Sequence, residues 1–149
     1  MKWLECATKF LKGPTKVPEP RRLRVLVVDD QEAVCEVVAD TIRFAGHDVV
    51  GTARDGVEAI ERAEQLRPDV VIMDVAMPRK NGVEAMKTIL EARTAERVAL
   101  MSGEYRSLGL TREEMMRHGA AAFLEKPFSV NDLFDLLGQW SGQTPATGN

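Results

Sequence analysis

Val70-Val71-Ile72-Met73-Asp74-Val75-Ala76-Met77-Pro78 places four apolar residues before an acid, and then a proline turn. A run this short and rich in branched side chains, without polar alternation, reads as a strand buried on both faces of a parallel sheet. The pattern occurs twice more. Val25-Leu26-Val27-Val28 ends in Asp29-Asp30, and Ala121-Ala122-Phe123-Leu124 leads into Glu125-Lys126-Pro127-Phe128. In an open α/β sheet, ligands bind outside the carboxyl ends of the strands, so these charged groups are expected at one edge. Clustered carboxylates repel one another and call for a cation, and oxygen ligands suit a hard ion such as Mg²⁺. A lysine ammonium beside them adds positive charge where an anion can sit. Carboxylates, Mg²⁺ and lysine together describe a phosphoryl site.

Working outward, apolar runs alternate with segments of helical period from Arg22 onward. After Asp30, the positions Val34, Val37, Val38, Thr41, Ile42 and Ala45 share one helical face, and Gly46 closes that helix. A strand follows at about 48–53. The next helix opens at Asp55-Gly56-Val57-Glu58 and runs to Pro68. Strand 69–74 leads into a helix opening at Asn81-Gly82-Val83-Glu84. A fourth strand, Val98–Met101, ends at Ser102, and Thr111-Arg112-Glu113-Glu114 has the form of a capping box. Strand 121–124 and a helix from Ser129-Val130-Asn131-Asp132 to about Trp140 complete the series. Four helices thus begin with a cap residue followed three positions later by an acid, which explains those acids structurally. Five strands alternating with five helices predict a doubly wound α/β domain of flavodoxin-like type, with a parallel five-stranded sheet in order 2-1-3-4-5. In that order the first and third strands are neighbours, and Asp29, Asp30 and Asp74 meet in one crevice.

The 149 residues suit one domain with a substantial core, and the 44% hydrophobic and 29% charged fractions are ordinary. The net charge of −3 is unevenly distributed. Residues 1–22 hold six basic side chains against Glu5 and Glu19, leaving the body about −7 and arguing against direct nucleic-acid binding. Cys6 and Cys35 are too few for a disulfide framework or a zinc site and fit a reducing compartment. With no membrane-length apolar stretch and no signal-peptide pattern, a cytoplasmic location is expected.

The motifs Val-Val-Asp29-Asp30, Ile-Met-Asp74-Val-Ala-Met77-Pro78, Leu-Met-Ser102-Gly103 and Lys126-Pro127-Phe128 fall at the ends of the first, third, fourth and fifth strands. Any one alone is weak; together they resemble the receiver domain of two-component response regulators, of the single-domain, chemotaxis-regulator-like type, over residues 22–140. The resemblance implies that Asp74 is the phosphoacceptor, attacking a phosphohistidine on a histidine kinase or phosphotransfer protein. It implies Mg²⁺, with Mn²⁺ as an alternative, held by Asp29, Asp30, Asp74 and the backbone carbonyl of Ala76. Lys126 and Ser102 would contact phosphoryl oxygens, Phe123 would be the aromatic switch, and the Lys126–Pro127 peptide bond would be cis. The switch ring is expected to move inward when Ser102 shifts. Ala76, two residues after the acceptor, has no polar side chain to position water, so control of dephosphorylation is expected elsewhere, with Glu104 as the candidate. Such a protein assists its own phosphorylation and dephosphorylation without turning over a separate substrate, and signals to a downstream protein.

Competing readings are a phosphorylation-independent interaction module and a receiver fragment of a larger regulator. A haloacid-dehalogenase-type phosphatase needs Asp-x-Asp after the first strand, which Asp29-Asp30-Gln31-Glu32 lacks. His47 and His118 read as surface residues beside Gly46 and Gly119, and Cys35 as lying off the apolar face of its helix. Residues 1–21 form an N-terminal extension: a short amphipathic helix over 1–12, then a Pro-rich linker. Trp3, Leu4, Ala7, Phe10 and Leu11 form its stripe, opposite Lys2, Glu5, Lys9 and Lys12. Alone in water so short a helix is marginal. It needs a surface: its own domain, a second copy, another protein or an anionic membrane. Residues 141–149 are expected to be a disordered tail.

Overall fold

The computed structural model describes residues 19–142. Five strands, β1 (Arg24–Val28), β2 (Asp48–Ala53), β3 (Val70–Asp74), β4 (Arg97–Ser102) and β5 (Ala122–Glu125), form one sheet in the order β2-β1-β3-β4-β5. Every pairing is parallel. The helices between and after them are α1 (Glu32–Phe44), α2 (Gly56–Leu66), α3 (Gly82–Ala92), α4 (Arg112–Arg117) and α5 (Val130–Ser141). The strand order, parallel sense and helix count are those the sequence predicts.

Alternation along the buried strands divides the core into two layers. Val25 and Val27 face α1 and α5, packing with Val38, Ile42, Leu133 and Leu137. Leu26 and Val28 face the other way, with Ala59, Ala63, Met86 and Ile89 of α2 and α3. β3 is buried along its whole length, Asp74 included. Its hydrophobic run is therefore continuous, because neither face meets water.

The four predicted caps form. Asp55 accepts the Glu58 N–H at 2.8 Å and Asn81 accepts that of Glu84 at 3.0 Å. Thr111 with Glu114, and Ser129 with Asp132, make reciprocal capping boxes. Each places an acid near the positive end of its helix, where it also interacts favourably with the helix dipole.

Three expectations need correction. The buried face of α1 is Cys35, Val38, Ala39 and Ile42, whereas Val37 is 63% exposed and Val34 and Thr41 are only partly covered. The apolar stripe of α1 is wider than one contact face, and the sheet selects one side of it. Cys35 is consequently buried, and its desolvated thiol is pushed above the usual range, with nearby Asp29 adding to the effect. His47 is 4% exposed rather than superficial, because its Nδ1 accepts the Leu23 N–H at 3.1 Å and ties the start of β1 to the end of α1.

The domain edges extend slightly past their sequence boundaries. Arg21, assigned to the extension, donates its N–H to the Ser141 carbonyl at 2.8 Å and pairs with Asp69 and Glu96. Ser141, assigned to the tail, is buried at the end of α5, and Gly142 caps that helix in the left-handed region. The amphipathic helix expected over 1–12 and the tail at 143–149 lie outside the described residues. Among the described residues, no helix is long and apolar enough to cross a membrane.

Candidate metal and phosphoryl site

At the carboxyl edge of the sheet, where the chain order reverses between β1 and β3, the carboxylates of Asp29, Asp30 and Asp74 each offer an oxygen within 4.8 Å of the others. Asp29 and Asp74 are buried and Asp30 is exposed. The arrangement follows from strand length. β1 ends at Val28 and β3 at Asp74, so the parallel register brings the loop after β1 beside the last residue of β3.

Asp29 is held on both oxygens. Oδ1 accepts the Gln31 N–H at 2.9 Å, an Asx-turn, and Oδ2 accepts from the Lys126 ammonium at 2.8 Å. The same ammonium lies 3.6 Å from Asp74 Oδ1, too far for a strong hydrogen bond. Burial therefore dominates at Asp74 and raises its pKa to about 6, with Lys126 opposing the rise and Asp29 and Asp30 adding to it. The site has more negative charge than its single ammonium offsets. All three side-chain donors are oxygens, so the residues fit a hard divalent cation.

A pocket of about 300 Å³ opens over this cluster, lined by Asp30, Asp74, Ala76, Ser102, Glu104 and Lys126 together with Gln31 and Gly103. Ser102 ends β4 and is 1% exposed. Its Oγ accepts the Glu104 N–H at 3.0 Å, and its own hydrogen remains to be donated. The Lys126 N–H donates to the Ser102 carbonyl at 3.2 Å, joining the ends of β4 and β5. The Lys126–Pro127 peptide bond is cis.

The candidate residues thus converge, apart from Phe123. Its ring lies in the core on the α4 side, 6% exposed, against Tyr105 at 4.8 Å between centroids in an edge-to-face arrangement. The ring is already buried in this conformation. Tyr105 belongs to a 3-10 helix, Tyr105–Leu108, that the sequence reading passes over. The run lacks a clear period of its own, and only an aromatic soon after Ser102 hints at packing.

The loop after Asp74 carries a second feature legible only in three dimensions. Arg79 has φ 65° and donates from Nε and Nη2 to Asp55 Oδ2 at 2.9 and 2.7 Å, clamping the loop to the start of α2. A Cβ on Gly82 would lie 2.3 Å from the Asp74 carbonyl oxygen, so α3 starts against the backbone at the end of β3. With the Gly82 N–H donating to the Val75 carbonyl at 2.9 Å, the ion pair restrains the segment that contains Ala76.

Comparison with known proteins agrees with this geometry. Residues 25–138 match the model of the response regulator receiver domain. The transcriptional regulatory protein PdtaR of Mycobacterium tuberculosis (strain ATCC 25618 / H37Rv) is 41% identical over 130 residues, covering 85% of this chain and 61% of that protein. The chain therefore spans about three-fifths of PdtaR. The chemotaxis protein CheY of Thermotoga maritima is 34% identical over 118 residues, 79% of this chain and 97% of that one. The response regulator domain of Thermotoga maritima CheB superposes with a TM-score of 0.72 at 37% identity, covering 84% of this chain and all of that one. The chain belongs to the receiver-domain family of two-component response regulators.

Proposed function

We propose that Asp74 accepts a phosphoryl group from a phosphohistidine on a histidine kinase or phosphotransfer protein, and that the phosphorylated chain signals by altered contact with a downstream protein. The observation that carries this reading is the buried Asp74 carboxylate, facing Asp29 and Asp30 with Lys126 3.6 Å away. An Asp74 oxygen attacks phosphorus; the P–O bond forms as the P–N bond breaks, and the electron pair leaves with the imidazole nitrogen. Lys126 meets one phosphoryl oxygen and Ser102 donates its hydroxyl hydrogen to another. Asp29, Asp30, Asp74 and the Ala76 carbonyl would hold Mg²⁺, which offsets charge on both the carboxylate and the phosphoryl oxygens.

In this reading Asp74 is an acceptor, and no separate substrate is turned over. Ala76 brings no polar side chain to the pocket, and Glu104 lies on its rim, so Glu104 is the residue assigned to positioning water for dephosphorylation. Phe123 is assigned the switch role through its contact with Tyr105. Calorimetric titration with Mg²⁺ tests the reading. One ion should bind the parent chain, and Asp30→Asn should weaken it strongly. Equal binding by the two would remove the metal assignment.

A further inference from the structure

The apolar side chains that α1 leaves uncovered form, with the start of α5, a groove of about 530 Å³. Val34, Val37 and Thr41 line one wall, and Pro127, Phe128 and Val130 line the other. Val37 is 63% and Val130 52% exposed. Towards the far end of α1, Phe44 is 84% exposed and stacks on Phe134 of α5, with centroids 6.0 Å apart. Uncovered valines with a largely exposed phenylalanine, along one helix pair, are more apolar surface than scattered exposure explains.

We infer that this groove is the docking surface for the chain's own residues 1–12. The first argument is where the described chain begins. Arg21 bonds the last carbonyl-bearing turn of α5 through Ser141, and Leu23 bonds His47 just past the end of α1. The N-terminal extension therefore departs between the ends of the two helices that form the groove.

Length agrees. Residues 13–20 can span at most about 26–29 Å, while the 13-residue α1 is about 20 Å long. Twelve residues coiled as a helix would cover about 18 Å, nearly the length of α1. Chemistry agrees as well. The stripe Trp3, Leu4, Ala7, Phe10 and Leu11 is wholly apolar, and the groove is lined by apolar side chains apart from Thr41 and Lys126. A short tether also gives the chain's own segment a high effective concentration over a second copy.

The full-length chain with Trp140→Phe leaves Trp3 as its one indole. Docking predicts blue-shifted Trp3 emission that is independent of protein concentration. It also predicts slow tryptic cleavage after Lys9 and Lys12. Val37→Glu and Phe44→Glu, at exposed positions, should each shift the emission to that of a solvated indole and speed the cleavage, with the thermal unfolding transition retained. If a variant loses that transition, cross-linking of a Trp3→Cys chain to Cys introduced at Val37 makes the same decision in the otherwise native protein. Four outcomes would overturn the inference. They are water-like emission in the parent, a blue shift that survives both groove substitutions, a shift seen only with anionic vesicles, and a shift lost on dilution with loss of dimer mass.

Discussion

Lys126 holds Asp29 at 2.8 Å but stands 3.6 Å from Asp74. One ammonium serves two buried acids unequally, and the acid with the weaker contact is the one whose burial is uncompensated. This inequality separates the roles of the two carboxylates. Asp29 is fixed in place, tied also to the Gln31 N–H, whereas the contact of Asp74 with the ammonium is the longer one.

The pH dependence of Asp74 follows. Its pKa rises from 3.8 to about 6, so between those values the folded chain holds a proton that the unfolded chain has released. In chelator, its contribution to stability therefore increases as pH falls through 6 and is complete below 3.8. At 1.36 kcal/mol per pH unit, relief of this burial in Asp74→Asn is worth up to about 3 kcal/mol near pH 7.5 and close to nothing near pH 4. Urea unfolding of both proteins across that range checks it. A difference that does not shrink in acid would contradict the assignment.

His47 predicts the opposite slope. Its Nδ1 is an acceptor from Leu23 and the ring is buried, which lowers its pKa below 6.5, with Arg22 assisting. The unfolded chain then binds the proton first, so stability is retained above 6.5 and lost as pH falls towards the folded-state value. The Asp74→Asn background removes the opposing slope. An NMR titration midpoint for His47 at or above 6.5 would refute the buried-acceptor description.

Asp55 caps α2 and receives Arg79 on its other oxygen, so the two partners should differ in cost. Asp55→Ala loses the cap and the clamp, and about 1–2 kcal/mol is expected. Arg79 is 60% exposed in its side chain, and Arg79→Ala should cost about 1 kcal/mol or less. Both should weaken Mg²⁺ binding if the clamp positions the Ala76 carbonyl. Equal unfolding costs would show that the cap contributes little beyond the ion pair.

Gly82 sits where only a hydrogen fits. An added Cβ meets the Asp74 carbonyl oxygen at 2.3 Å and the Val75 Cα at 3.0 Å, both backbone atoms that cannot turn aside. Gly82→Ala should therefore lower stability by about 1–3 kcal/mol despite its better helix propensity. An unchanged or raised melting temperature would mean that α3 does not start against β3.

The strands were legible because burial on both faces turns them into unbroken apolar runs, and the ends of those runs located Asp29, Asp30, Asp74 and Lys126. The caps were legible because Asp55, Asn81, Thr111 and Ser129 act within four residues. What remained hidden depends on distant partners. The buried side of α1 depends on how a wide stripe meets the sheet, and His47 is buried by a bond to Leu23, 24 residues away. Arg79 finds Asp55 across another 24 residues, and Tyr105 matters through its contact with Phe123. None of these leaves a periodic trace in the sequence.

Intact-mass measurement after incubation with acetyl phosphate tests the central claim most directly. The parent chain should gain one hydroxylamine-sensitive phosphoryl group with Mg²⁺ and none in chelator, and Asp74→Asn should gain none under either condition. A phosphoryl group of undiminished yield on Asp74→Asn, or one formed equally well in chelator, would contradict the account.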